Sequence, residues 1–120
     1  MRHNYRTIQP LVEQRLRDII ASEGPREPRY GYTYLEILSG AAPNDPLVSK
    51  EGRFVDDLGL VWAWQSSRQV REWLQANGVE VSDAVVGRCL KGLIEQGGWV
   101  RIQPGIPMDQ AYAYRPLKQS

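Results

Sequence analysis

The sequence predicts a single α+β domain of 120 residues, with helices in both halves and a small antiparallel ribbon near the C-terminal end. Three observations carry that expectation. Apolar residues recur at helical spacing over 10–23, 66–78 and 82–96. They alternate at a spacing of two over 58–64, and two short runs rich in β-formers, WVRIQ and AYAYR, follow the last helix.

In the first helix, PLVEQRLRDIIASE, Val12, Leu16 and Ile19 form an apolar stripe opposite Glu13, Gln14, Arg17 and Asp18. Pro10 suits its first turn and Gly24 the position just past its end. The stripe fits either the domain's own core or the seam of a homodimer. The segment GPREPRYG reads as a connector. Tyr34, Leu35, Ile37 and Leu38 then predict a short second helix, and residues 40–53 predict a proline- and glycine-punctuated loop. In LGLVWAW, Leu58, Leu60, Trp62 and Trp64 point one way, as in a strand whose aromatics serve the core. A helix starting at Asp56 or Asp57 is the alternative.

From Ser66 onward the local signals agree. Ser66 caps a helix with Val70, Trp73, Leu74 and Asn77 on one face, and Gly78 stops it. Ser82 caps the next, with Asp83 at the positive end of its dipole. Val86, Leu90 and Leu93 make its buried stripe, flanked by Cys89 and Ile94, and Gly97 and Gly98 end it. Helix, turn, helix and a two-stranded ribbon, in that order, is the winged-helix layout.

Composition narrows the chemistry. Hydrophobic residues make up 42% and charged residues 24%, which suffices for a core without disulfides or metals. No apolar run approaches the roughly 20 residues needed to span a bilayer. The arginines of MRHNYRTIQP are not followed by an apolar segment, so a cytoplasmic rather than secreted protein is expected. A single cysteine, Cys89, and a single histidine, His3, leave little material for a thiolate cluster, a catalytic triad or an imidazole-bound zinc. Cys89 reads as a small semi-buried apolar residue rather than a reactive thiol. No phosphate-binding glycine loop is present. A non-enzymatic protein without a cofactor is the expectation.

The net charge is only +1, whereas phosphate binding normally leaves a basic footprint. The charge is uneven: residues 1–30 hold six basic and four acidic side chains, 31–65 two and five, and 66–120 seven and five. Basic ends around an acidic middle permit a basic face without requiring one.

The run Ser82, Ala84, Val86, Arg88, Leu90, Lys91, Leu93, Glu95 and Gly97 resembles the recognition helix of winged helix-turn-helix regulators. The preceding SRQVREWL is similar to their first motif helix, and GVEVSDAVVGRCLK resembles the DNA-binding domain of arginine repressors. The resemblance covers about residues 66–116. It implies a winged helix-turn-helix core with an added N-terminal helix and a small β-wing. It also implies binding to double-stranded DNA, as in a transcriptional regulator or a replication or mobile-element accessory factor.

On that resemblance the reading helix contributes Ser82, Asp83, Ala84, Val85, Gly87, Arg88 and Lys91. Arg68 and Arg71 on the first motif helix are phosphate clamps or solvated surface. Arg101, Gln103 and Arg115 would contact the backbone from the ribbon. Two features depart from the family pattern. The outward face of the reading helix holds Ala84, Arg88, Lys91 and Glu95 with Gly87 and Gly92 at its margins, so only two cations stand there. The wing tip, Pro104 to Gln110, has no Lys or Arg. Such a smooth Ala/Gly surface suits close approach of a DNA strand or of another protein, and the alternative function is an adaptor or inhibitor winged helix that binds protein.

Overall fold

A computed structural model describes residues 5–24, 49–56, 58–102 and 112–118. Within them the chain runs α1 (Tyr5–Ala21), β1 (Arg53–Val55), β2 (Val61–Gln65), α2 (Ser67–Ala76), α3 (Asp83–Glu95), β3 (Trp99–Ile102) and β4 (Tyr112–Pro116). The strands form one antiparallel sheet in the order β1-β2-β4-β3. The described residues are thus an α+β arrangement of three helices on a four-stranded sheet. The short helix expected around Tyr34–Leu38 lies outside them.

Helix α1 begins at Tyr5, earlier than its periodicity from Val12 suggests, and Pro10 sits inside it. Proline there removes one helical hydrogen bond. That loss is outweighed because Tyr5 and Ile8 continue the stripe onto the core. Ile8, Val12 and Leu16 are completely buried and Ile19 nearly so, each burial favouring the fold by about 1.5–3 kcal/mol. They pack with Val70, Leu74, Val86, Cys89, Leu90, Leu93, Ala63, Trp99 and Tyr114. Of the two alternatives for the stripe, Val12, Leu16 and Ile19 take the first and face the chain's own core. Two polar ties add direction. Trp99 Nε1 donates to Glu13 at 2.8 Å, and Arg53 Nε donates to the Ile20 carbonyl at 3.0 Å.

The sheet is larger than the expected ribbon because Arg53–Val55, at the end of the expected loop, pairs with β2. Asp56 organises the connection. Its carboxylate accepts from the backbone N–H groups of Leu58 and Leu60, both at 2.9 Å, and from Trp62 Nε1 at 2.7 Å. An aspartate so used turns a hairpin instead of starting a helix. Leu58 belongs to this turn and is exposed, so the strand is shorter than the alternation over 58–64 indicates. The alternation itself holds for Trp62 and Trp64, but their face looks away from the helices. Ala63 and Tyr114 meet the helical core, whereas Phe54, Trp62 and Ala113 form a second buried cluster with Trp64, Val100 and Ile102. A small side chain at 63 lets the helices approach the sheet closely.

Helices α2 and α3 are bounded as their local chemistry dictates. The Ser66 hydroxyl accepts from Gln69 N at 3.1 Å while Ser66 N donates to Gln69 Oε1 at 2.8 Å, a reciprocal capping box. Gly78, at φ 83°, and Gly97, at φ 82°, take the left-handed conformation past the two C-termini. Asn77 is a correction: it caps α2 at the surface, donating to the Trp73 carbonyl at 2.8 Å, rather than joining the apolar face.

Two substitutions test this packing. Leu16→Glu places a carboxylate among apolar side chains with no partner, so it should abolish the cooperative melt in circular dichroism instead of yielding a folded monomer. Gly52 has φ 98°, and a Cβ there would overlap the Trp64 carbonyl oxygen. Gly52→Ala should therefore cost at least about 1–3 kcal/mol in denaturant titration; an unchanged midpoint would contradict the β1–β2 register.

Candidate functional site

The helix pair α2–α3 builds an outward surface because its inward faces are used up. Val86, Leu90 and Leu93 turn into the core, which leaves Ala84, Lys91 and Glu95 exposed on the far side of α3 and Arg88 exposed at the margin beside α1. Ser82 caps α3 by accepting from Val85 N at 3.3 Å, and Ser82 and Asp83 are exposed at its start. Val85 is half-buried and packs against the core, so it contributes to packing more than to the surface.

The two glycines of α3 serve contacts within the chain. A Cβ on Gly87 would stand 3.2 Å from Ser67 Oγ, so this glycine admits the first turn of α2. A Cβ on Gly92 would overlap the Tyr5 hydroxyl and lie 3.2 Å from Gln9 Nε2. Gly92 is buried beneath α1. The expected smooth Ala84–Gly87–Gly92 surface is therefore reduced to Ala84 and the rim of Gly87.

Each cation of this face has a defined neighbour. Arg71 Nε pairs with Asp83, its Nη1 donates to Gln75 Oε1 at 2.6 Å, and its Nη2 lies 3.9 Å from Glu72 Oε1. Arg71 thereby ties α2 to the first turn of α3. Arg68 Nε meets Glu72 Oε1 at 3.1 Å, and Lys91 Nζ lies 3.8 Å from Glu95 Oε1. Exposed pairs of this kind contribute about 0–1 kcal/mol; their main effect here is to neutralise the local field. Arg88 differs. It has no carboxylate partner among the described residues, and its guanidinium lies over the Tyr5 ring, 5.4 Å from the centroid.

On the ribbon, Arg101 pairs with Tyr114 and Arg115 with Val100, so the two arginines point to opposite faces of the sheet. Arg101 stacks on Tyr112 at 4.2 Å and Arg115 on Trp62 at 5.2 Å. They do not form one basic wing surface. Gln103 lies outside the described residues. Thus the structure brings Arg68, Arg71, Asp83, Ala84, Arg88 and Lys91 onto the α2–α3 surface and divides Arg101 from Arg115. Tyr5 is the residue that sequence reasoning passed over. A signal for it existed, since Tyr5, Ile8 and Val12 continue the apolar stripe at three- and four-residue steps.

The nucleophilic and acidic groups of the core are quiet. Burial pushes the Cys89 thiol from about 9 up to about 11, against a smaller opposing effect of Arg88, and its Sγ lies 3.7 Å from the Tyr5 carbonyl. Burial likewise raises the Tyr114 hydroxyl to about 12, opposed by Arg101. No group of three or more His, Cys, Asp or Glu side chains among the described residues is placed to hold a metal ion, and no helix among them is long and apolar enough to cross a membrane.

Since the reactive form of a thiol is the thiolate, Cys89 should resist a thiol-specific disulfide reagent at pH 8 in the native protein. It should react within seconds once the chain is unfolded in guanidinium; rapid native-state labelling would contradict its burial. No family model, curated protein or solved structure matches this chain.

Proposed function

We propose that the chain is a winged helix-turn-helix domain that binds double-stranded DNA, with α3 in the major groove and the β3–β4 ribbon beside the adjacent backbone. The observation that carries this reading is the arrangement around α3. A capped helix with an exposed Ser82–Ala84–Arg88–Lys91 surface follows α2 across a short connection and leads directly into an antiparallel ribbon. Strand β2, which leads into α2, pairs with the outgoing strand of that ribbon, which ties the helices to the ribbon. In this reading α1 supports the reading helix from behind, and the start of α3, exposed at Ser82, Asp83 and Ala84, enters the groove.

Charge sets the style of binding. Arg68, Arg71 and Lys91 each have a carboxylate within 4.0 Å, so few phosphates are neutralised and non-specific affinity is low. Recognition then leans on base contacts, for which Arg88 is the best placed described cation. The same neutralised surface favours a second reading, an adaptor that docks on another protein through Ala84, Gly87 and the mixed charges around them. A protein partner is not repelled by Glu72, Asp83 and Glu95 as a phosphate backbone is.

Duplex selection from a random pool, followed by binding at several salt concentrations, decides between them. Under the DNA reading a preferred site emerges, and Arg88→Ala weakens it by about 1–3 kcal/mol while relaxing one base position. Lys91→Ala should weaken all sequences alike and reduce the salt slope by about one. A wild-type protein with no salt-dependent affinity for any duplex at low ionic strength would remove the DNA reading in favour of the adaptor.

A further inference from the structure

The arginines of the α2–α3 surface are held in two different ways. Arg68 and Arg71 use their N–H groups on carboxylates and an amide: Arg68 on Glu72, Arg71 on Asp83 and Gln75. Arg88 is held by a ring face, with its guanidinium 5.4 Å from the centroid of Tyr5. The ring is itself fixed on α3. Its hydroxyl fills the space that a side chain at Gly92 would need, and the Tyr5 carbonyl lies 3.7 Å from Cys89 Sγ. A ring face attracts a guanidinium through its quadrupole and consumes none of its five donors.

We infer that Tyr5 is a specificity-positioning residue, holding the Arg88 guanidinium in place with its donor edge free for the O6 and N7 acceptors of a guanine in duplex DNA, an inference that rests on α3 being the groove-entering helix. Guanine offers two adjacent acceptors on its major-groove edge, and a fixed guanidinium fork matches them in bidentate fashion. A carboxylate partner at the same place would occupy that fork. A free side chain would lose more rotamer entropy on binding. Tyr5 avoids both. The structural cost is a glycine in the interior of α3, since any side chain at position 92 would displace the ring. The N-terminal helix accordingly acts at the reading surface as well as in the core.

The test compares wild type with Tyr5→Phe, Tyr5→Leu and Arg88→Lys on a duplex library at several salt concentrations. Wild type and Tyr5→Phe should prefer guanine at one position by about tenfold to a hundredfold. Tyr5→Leu and Arg88→Lys should lose that preference with an unchanged salt slope, because the number of phosphate contacts is the same. A Tyr5→Leu protein that selects guanine as strongly as wild type overturns the inference and leaves the DNA reading standing. Wild-type protein that binds duplexes without a guanine preference traceable to Arg88 does the same. Wild-type protein that binds no duplex removes both. If Tyr5→Leu does not fold, NMR of the wild type and Tyr5→Phe replaces it. Stacking requires upfield ring-current shifts of the Arg88 side-chain protons in both proteins, and random-coil positions overturn the inference.

Discussion

The packing of α1 across α3 and the sheet is the constraint from which the rest of the structure follows. Four apolar residues at helical spacing, Ile8, Val12, Leu16 and Ile19, are almost wholly removed from water in one contiguous core. For that to happen α1 must come close to α3, and Gly92 is what permits it at the end where Tyr5 lands. At the other end Arg53 reaches the Ile20 carbonyl, and between them Glu13 receives the Trp99 indole. With the inward side of α3 committed in this way, the rotation of the helix about its own axis is set. Its outward residues are then determined by the core, independently of what they might bind.

That outward surface is polar but nearly neutral. Alternating acid and base at four-residue spacing, Arg68 with Glu72 and Lys91 with Glu95, is a local property of each helix, while Arg71 with Asp83 joins the two helices. The low net charge of the chain is thus matched at the candidate surface. Such a surface gives weak long-range attraction for a polyanion, so any discrimination must come from short-range, directional contacts.

Arginine on an aromatic face recurs through the described structure: Arg15 on Trp73, Arg17 on Trp99, Arg88 on Tyr5, Arg101 on Tyr112 and Arg115 on Trp62. These stacks serve different ends. Arg15 and Arg17 cover rings at the margin of the core, and burial lowers the Arg15 pKa because its charge is partly desolvated there. Arg115 has a buried Nε without a hydrogen-bond partner among the described residues, and its contact with the Trp62 ring makes it part of the sheet packing. Arg88 is exposed, and its ring contact orders a side chain that still faces solvent.

Local chemistry by itself determined α2, α3 and the strands of the ribbon, because their signals lie within a few residues of the structure they specify. Ser66 and Gln69 cap each other, Gly78 and Gly97 take left-handed conformations, and Ser82 binds an amide three residues on. The stripe of Val86, Leu90 and Leu93 was legible for the same reason. Tertiary structure decided whatever depends on residues distant in the chain. It drew α1 through Pro10 back to Tyr5, since buried contacts there exceed one lost hydrogen bond. It turned Trp62 and Trp64 away from the helices, a choice that period-two alternation leaves open because both faces repeat alike. It joined Phe54 to the sheet, paired Arg71 with Asp83, sent Arg101 and Arg115 to opposite faces, and spent Gly92 on Tyr5, 87 residues away in sequence. Hydrogen bonds within a turn are written where they form, whereas a long-range contact depends on which faces the whole core must bury.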